Sequence, residues 1–271
     1  MGLKKEDANI DRGSEIDMKI GIALGGGGAR GFAHLGVLKA LEEQGGKPDM
    51  VSGASAGSIV GALLASGRSP DEIMQLVKDN RFMDYAKVNL PVSGLFTLGN
   101  FEERIKDYLP ETFGGLKLPF YIAISNLYTG KVEYVSEGPL VPVIEASSSI
   151  PVLFSPVKIG DQLYVDGGLL DNLPYAPLIG QCDKIIAVTI TGIEKRENIR
   201  NLLDVAVRTF ELSVGDDKDE INDACDLVIM PKGLGDYSVL DTGHAEELYQ
   251  IGYDACREVN VQGALAEYKV G

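Results

Sequence analysis

The sequence predicts a single-domain α/β protein with three layers, α/β/α, around a mostly parallel sheet. Three observations carry that expectation. Short apolar runs of strand length alternate with longer segments of helical period. The first two runs each end in a glycine-rich turn that leads directly into a helix. Across the 271 residues no repeat, low-complexity tract or Pro/Ser linker divides the chain, and one α/β domain commonly fills such a length.

The elements follow in order. Lys19–Leu24 (KIGIAL) reads as the first strand and Gly25–Gly28 as its breaker. Gly31–Gln44 carries Phe32, Leu35, Leu38 and Leu41 at helical spacing, and Gly45, Gly46 and Pro48 end that helix. A second strand, Asp49–Ser52, runs into Gly53-Ala54-Ser55-Ala56-Gly57, followed by a small apolar helix over Ser58–Ser66. Ser69-Pro70-Asp71-Glu72 supplies a cap, a first-turn proline and an acidic first turn for a helix reaching Asn80. Further strands are expected at Phe120–Ser125, Lys131–Val135, Leu163–Val165, Lys184–Thr189 and Leu227–Met230. Further helices are expected at Phe101–Tyr108, Leu140–Ser148, Ile199–Val214 and Ala245–Val259. Residues 1–17 are polar, with no apolar core of a secretory signal, and read as a loose tail before a domain spanning 18–271.

Composition narrows the function. Hydrophobic residues make up 45% and charged residues 24%, which excludes a disordered or fibrous chain. The formal net charge of −15 repels a phosphate backbone, so no nucleic-acid partner is expected. The acidity is uneven: residues 191–271 hold 8 Lys/Arg against 17 Asp/Glu, nine of the fifteen excess negative charges. Cys182, Cys225 and Cys256 are odd in number and widely spaced, as expected of reduced thiols in a cytoplasmic protein rather than a disulfide framework or a zinc site. No apolar run approaches the ~18 residues of a membrane span, so membrane contact is expected to be peripheral at most.

Three motifs carry chemistry. Gly53–Gly57 is a G-x-S-x-G, a sharp strand-to-helix turn that holds its serine strained and exposed at a helix N-terminus. Gly25-Gly26-Gly27-Gly28-Ala29-Arg30-Gly31 closes the first strand and opens a helix, so its bare N–H groups suit a bound phosphate or a transient oxyanion. Gly26, Gly28 and Gly31 also fit G-x-G-x-x-G, but the second strand ends in Ser52-Gly53-Ala54-Ser55 where a dinucleotide site wants an acid for the ribose. Asp166-Gly167-Gly168 leaves a strand end and points into the crevice shared by the two glycine-rich turns.

In this order the three motifs resemble the patatin-like phospholipase family of serine acyl hydrolases, over a stretch from about Lys19 to about Val259. Supporting matches are Ala146–Pro156 (ASSSIPVLFSP) and the D-N-x-P at Asp171, Asn172 and Pro174. The resemblance implies a patatin-like fold, no cofactor and no metal. It implies Ser55 as nucleophile and Asp166 as its base, with an oxyanion hole from Gly26, Gly27, Gly28 and Ala56. The remaining motif residues, Gly25, Arg30, Gly31, Gly53, Gly57, Gly167 and Gly168, support that geometry. The two histidines, His34 and His244, receive no catalytic role.

The expected activity is cleavage of carboxylic esters of lipids, as a phospholipase, lysophospholipase or esterase. The alternatives are a catalytically silent patatin-like binding or regulatory module and a nucleotide-binding protein. An aspartate at its ordinary pKa of about 3.9 is a feeble base for a hydroxyl, so burial has to raise it. Arg30 is expected either to brace the loop, to attract a phosphate head group or to sit on a helix surface. The irregular apolar stretch Phe82–Phe101 suits a lid or an ordinary packed segment, and Ser147–Ser149 a helix end before Pro151.

Overall fold

In the computed structural model the described residues are 18–80, 103, 105–192, 199–215 and 218–266. The tail 1–17 and the stretch Phe82–Phe101 lie outside them, as do Phe101, Glu102 and Arg104 of the helix expected there. The strands are β1 Ile20–Leu24, β2 Met50–Gly53, β3 Phe120–Asn126, β4 Lys131–Val135, β5 Val157–Ile159, β6 Gln162–Asp166, β7 Lys184–Val188 and β8 Leu227–Ile229. The helices are α1 Phe32–Glu43, α2 Ala56–Ala65, α3 Pro70–Asn80, α4 Leu140–Ser147, α5 Leu202–Ser213, α6 Lys218–Ala224, α7 Ala245–Arg257 and α8 Val261–Ala266.

The central strands are apolar on both faces because both faces are covered. Along β1, Ile20, Ile22 and Leu24 join the main core, while Ala23 joins a smaller one with Met50, Leu178 and Ile185 on the opposite face. β7 divides the same way, Ile186 and Val188 against Ile185 and Ala187. The helix starts obey local chemistry. Before α3 the Ser69 N–H donates to Glu72 Oε2 at 2.8 Å and the Glu72 N–H to Ser69 Oγ at 3.3 Å, a reciprocal cap.

Hydrogen-bonded neighbours run β5-β6-β3-β2-β1-β7-β8, with β4 also on β3. β3, β2, β1, β7 and β8 are parallel; β4 and β6 run antiparallel to β3, and β5 antiparallel to β6. The expected three-layer, mostly parallel architecture is therefore present, with an antiparallel flank. Register explains what that flank does. Ile122 pairs with both Gly53 and Val135, and Ile124 with both Asp166 and Glu133. A strand has only two edges, so β4 fills one, and β2 and β6 meet end to end along the other. The chain leaving β2 at Gly53 and the end of β6 at Asp166 are brought together by β3.

Candidate active site

Ser55 stands in the turn between β2 and α2 with φ 51° and ψ −122°, a positive φ that a residue with a side chain adopts only under strain. The turn closes because its neighbours are small. A Cβ at Gly57 would collide with the Leu24 carbonyl, so only glycine lets α2 start against β1. Ser147 fixes the elbow from α4: its Oγ accepts the Ser55 N–H at 2.9 Å and donates to the Ala123 carbonyl of β3 at 2.8 Å.

The Ser55 hydroxyl donates to Asp166 Oδ2 at 2.7 Å. Asp166 is fully buried, and its Oδ1 accepts the Gly168 N–H at 2.8 Å. Burial raises its pKa from 3.8 to about 7, against the hydrogen bonds from Ser55 and Gly168 that lower it. That is the direction a carboxylate needs to accept a proton from serine near neutral pH.

The glycine loop faces the same cavity, with Gly27 and Gly28 in its wall. Gly28 has φ 58°, and a Cβ there would strike the Val239 carbonyl. Among the described residues the N–H groups of Gly27, Gly28 and Ala56 donate to no other group. Gly26 differs: its N–H donates to the Asn172 carbonyl at 3.0 Å, so the expectation that it lines the oxyanion hole is corrected, and its part is to anchor the loop. Gly25 is anchored likewise on the Val188 carbonyl at 2.9 Å, while Gly31, Gly53 and Gly167 pack against neighbouring backbone or side chains.

Arg30 is only 2% exposed, so the helix-surface expectation does not hold, and the residue lines the cavity. It braces. Its Nε donates to the Tyr237 carbonyl at 3.0 Å, Nη1 to the Gly192 carbonyl at 3.4 Å, and Nη2 pairs with buried Glu211 at 3.3 Å. His34 braces from behind, with Nε2 2.8 Å from the Gly25 carbonyl; burial lowers its pKa to about 4, so it is neutral and Nε2 carries the proton. His244 lies between Asp241 at 3.6 Å and Glu247 at 3.3 Å and edge-on to Tyr237, local partners that the sequence does not disclose.

The rest of the cavity combines apolar Ile150, Phe210, Val214 and Val239 with polar Arg30, Asn172, Thr191 and Glu211. It leaves about 20 Å³, room for little more than one water, because α5 lies across it. Sequence reasoning finds α5 but not this position, and it places Ser147–Ser149 only at a helix end. The available signal for Ser147 is a serine on the buried face of α4, four residues after Val143 and three after Ile144. Among the described residues no group of three His, Cys, Asp or Glu side chains converges as a metal site, and no helix is long and apolar enough to cross a membrane.

The strained serine elbow, the buried aspartate bonded to it and Gly27 and Gly28 with their unbonded N–H groups border one cavity at the edge of an α/β sheet. The sequence model of patatin-like phospholipases matches residues 22–179, and the chain belongs to that family. A protein described as an uncharacterized NTE family protein, from Mycobacterium tuberculosis, is 34% identical over 181 residues, 65% of this chain and 50% of its own. The lysophospholipase NTE1 of Kluyveromyces lactis is 28% identical over 270 residues, 86% of this chain and 18% of its own. The chain thus spans half or less of these relatives' length. VipD of Legionella pneumophila shares the fold, with a TM-score of 0.55 at 16% identity over 89% of this chain and 66% of that one.

Proposed function

We propose that the protein is a serine acyl hydrolase that cleaves carboxylic esters of lipids through an acyl-Ser55 intermediate. The observation that carries this reading is the 2.7 Å hydrogen bond from the strained Ser55 hydroxyl to a buried carboxylate. Ser55 Oγ attacks the ester carbonyl while its proton passes to Asp166 Oδ2. The tetrahedral oxyanion accepts hydrogen bonds from Gly27, Gly28 and Ala56, each such donor being worth on the order of 100-fold in rate. Asp166 then returns the proton to the departing alcohol. A water takes the alcohol's place and attacks the acyl carbon as its proton passes to Asp166, which hands that proton to Ser55 Oγ as the bond to serine breaks and the fatty acid leaves. The apolar wall of Ile150, Phe210 and Val214 suits an acyl chain, which needs α5 to give way.

The relatives support the lipid substrate, since one is described as a lysophospholipase. A silent binding module has no use for a serine hydroxyl held on a carboxylate whose pKa burial lifts to about 7. The deciding experiment is labelling with an alkyl fluorophosphonate. Wild type is expected to be labelled and Ser55→Ala not; no labelling of wild type, or equal labelling of both, removes Ser55 from the mechanism.

A further inference from the structure

A second cavity, of about 410 Å³, adjoins the site and meets it at Asn172 and Val214, which line both. Its lining includes Gly168–Leu173, the segment that begins two residues after Asp166. Asn172 is 7% exposed, and its Nδ2 is buried without a hydrogen-bond partner although the residue lines both spaces. A buried amide donor left unpaired costs stability unless something outside the chain completes it.

From these positions we propose that this second cavity is the subsite for the leaving alcohol, with Asn172 at its neck donating to the alcohol-side oxygen of the ester. The inference rests on the reading of Ser55 as nucleophile and Asp166 as base. A base that first takes the serine proton must hand it to the alcohol, so the alcohol lies on the side of Asp166 away from the glycine loop. The small cavity under α5, walled by Ile150, Phe210 and Val239, is left for the acyl chain.

The lining then states what alcohol it takes. Asp171 and Glu220 are its carboxylates, the first accepting the Tyr134 hydroxyl at 2.6 Å and the second the Tyr175 hydroxyl at 2.9 Å. None of the described lining residues is basic. A phosphate dianion entering here meets like charges among the described lining residues, whereas a glycerol finds hydroxyl partners and an ammonium group finds carboxylates and tyrosine rings. The subsite accepts uncharged or cationic alcohols and rejects anionic ones.

The test uses three monomeric hexanoyl esters, of glycerol, of choline and of glycerol 3-phosphate, so that acyl chain and aggregation state stay constant. Wild type is expected to show kcat/KM about tenfold or more higher for the first two. Glu220→Lys is expected to shrink that ratio several-fold, which a general loss of folding would not do because it lowers all three alike. Asn172→Ala is expected to slow these alkyl esters more than p-nitrophenyl hexanoate, whose leaving group needs no assistance. Equal wild-type rates on all three esters, a ratio untouched by Glu220→Lys, or an equal loss with Asn172→Ala on alkyl and aryl esters would each overturn the subsite. Fluorophosphonate labelling of the same preparations separates the failures. Labelled enzyme with the wrong ratios discards only the subsite, and unlabelled wild type discards the underlying mechanism.

Discussion

The two walls of the active-site cavity are built in opposite ways. One wall consists of the glycine loop, the elbow and the end of β6, and main-chain bonds hold its loop and strand end: Gly25 on Val188, Gly26 on Asn172, Asp166 N–H on the Ser149 carbonyl, while the Ser147 Oγ holds the elbow. The other consists of Thr191, Gly192, Phe210, Glu211, Val214 and Val239, where mostly side chains fill the space. The match to the patatin-like phospholipase family ends at residue 179, so it covers the first wall and stops short of the second. Chemistry that must be placed to a fraction of an ångström is written into backbone and absent Cβ atoms, whereas the cover is written into packing. Arg30 is the seam, rooted in the loop and bonded to Gly192, Tyr237 and Glu211 across it.

The largest effect should come from the first wall. Asp166→Asn keeps the shape of the side chain but removes the proton acceptor, and kcat/KM on a soluble ester is expected to fall about 1,000-fold or more. A smaller loss, with labelling retained, would mean that another group takes the proton. Next, Gly57→Ala sets a Cβ against the Leu24 carbonyl, main chain that cannot step aside. A loss of about 3 kcal/mol in urea unfolding is expected, and a neutral result would show the elbow to be looser than its contacts say.

The seam ranks third. Arg30→Met leaves the buried Glu211 carboxylate without one of its cationic partners, and breaking a buried pair typically costs about 3 kcal/mol. Lys39→Met breaks the 2.8 Å pair with Asp71 on the surface, and no measurable change in midpoint is expected. Equal effects of the two would remove Arg30 from its bracing role.

The gentlest probe is pH. In the proposed mechanism Asp166 accepts a proton only when ionised, so with its pKa near 7 the rate should fall about tenfold per unit below that value. Its effect on stability has the opposite sign. The folded pKa is raised above the unfolded one, so the folded state binds the proton more tightly, and stability is lost as pH rises from about 4 through about 7. Asp166→Asn removes that penalty. Its thermal midpoint relative to wild type should therefore be higher at pH 8 than at pH 5, by on the order of 2 kcal/mol of stability. A gap that does not change with pH would contradict the buried carboxylate's raised pKa.

The same contrast governs what the sequence discloses. Ser55, Asp166 and the loop glycines are legible because a turn with positive φ or a touching backbone permits few residues, and those residues sit together in the chain. Gly26 is misread as part of the oxyanion hole because its N–H already donates to the Asn172 carbonyl, far along the sequence. Most helices and strands fall within a few residues of expectation. β5 escapes because Val157-Lys158-Ile159 is too short for a period between Pro156 and Gly160. α6 escapes because its seven polar-rich residues bury little more than Ile221. The helix expected over Ala245–Val259 is α7, which ends at Arg257, and α8 at Val261–Ala266 escapes because it runs for only six residues after the break. For α5, periodicity reveals a buried face but not that the site is what it covers. Ser147 and Asn172 are ordinary polar residues whose importance comes only from where β3 and the loop put them.

The shared edge of β3 has a consequence for how this molecule comes into being. Ser55 and Asp166 are 111 residues apart, and they meet only after β2 and β6, each arriving separately, have both zipped onto one strand. Such long-range pairing is slow relative to local structure, because loop closure has to precede any reward. Refolding chains are thus expected to recover helix signal first and reactivity toward fluorophosphonate last. The reactive serine is in effect a clock hand that reaches its mark only when the topology is complete.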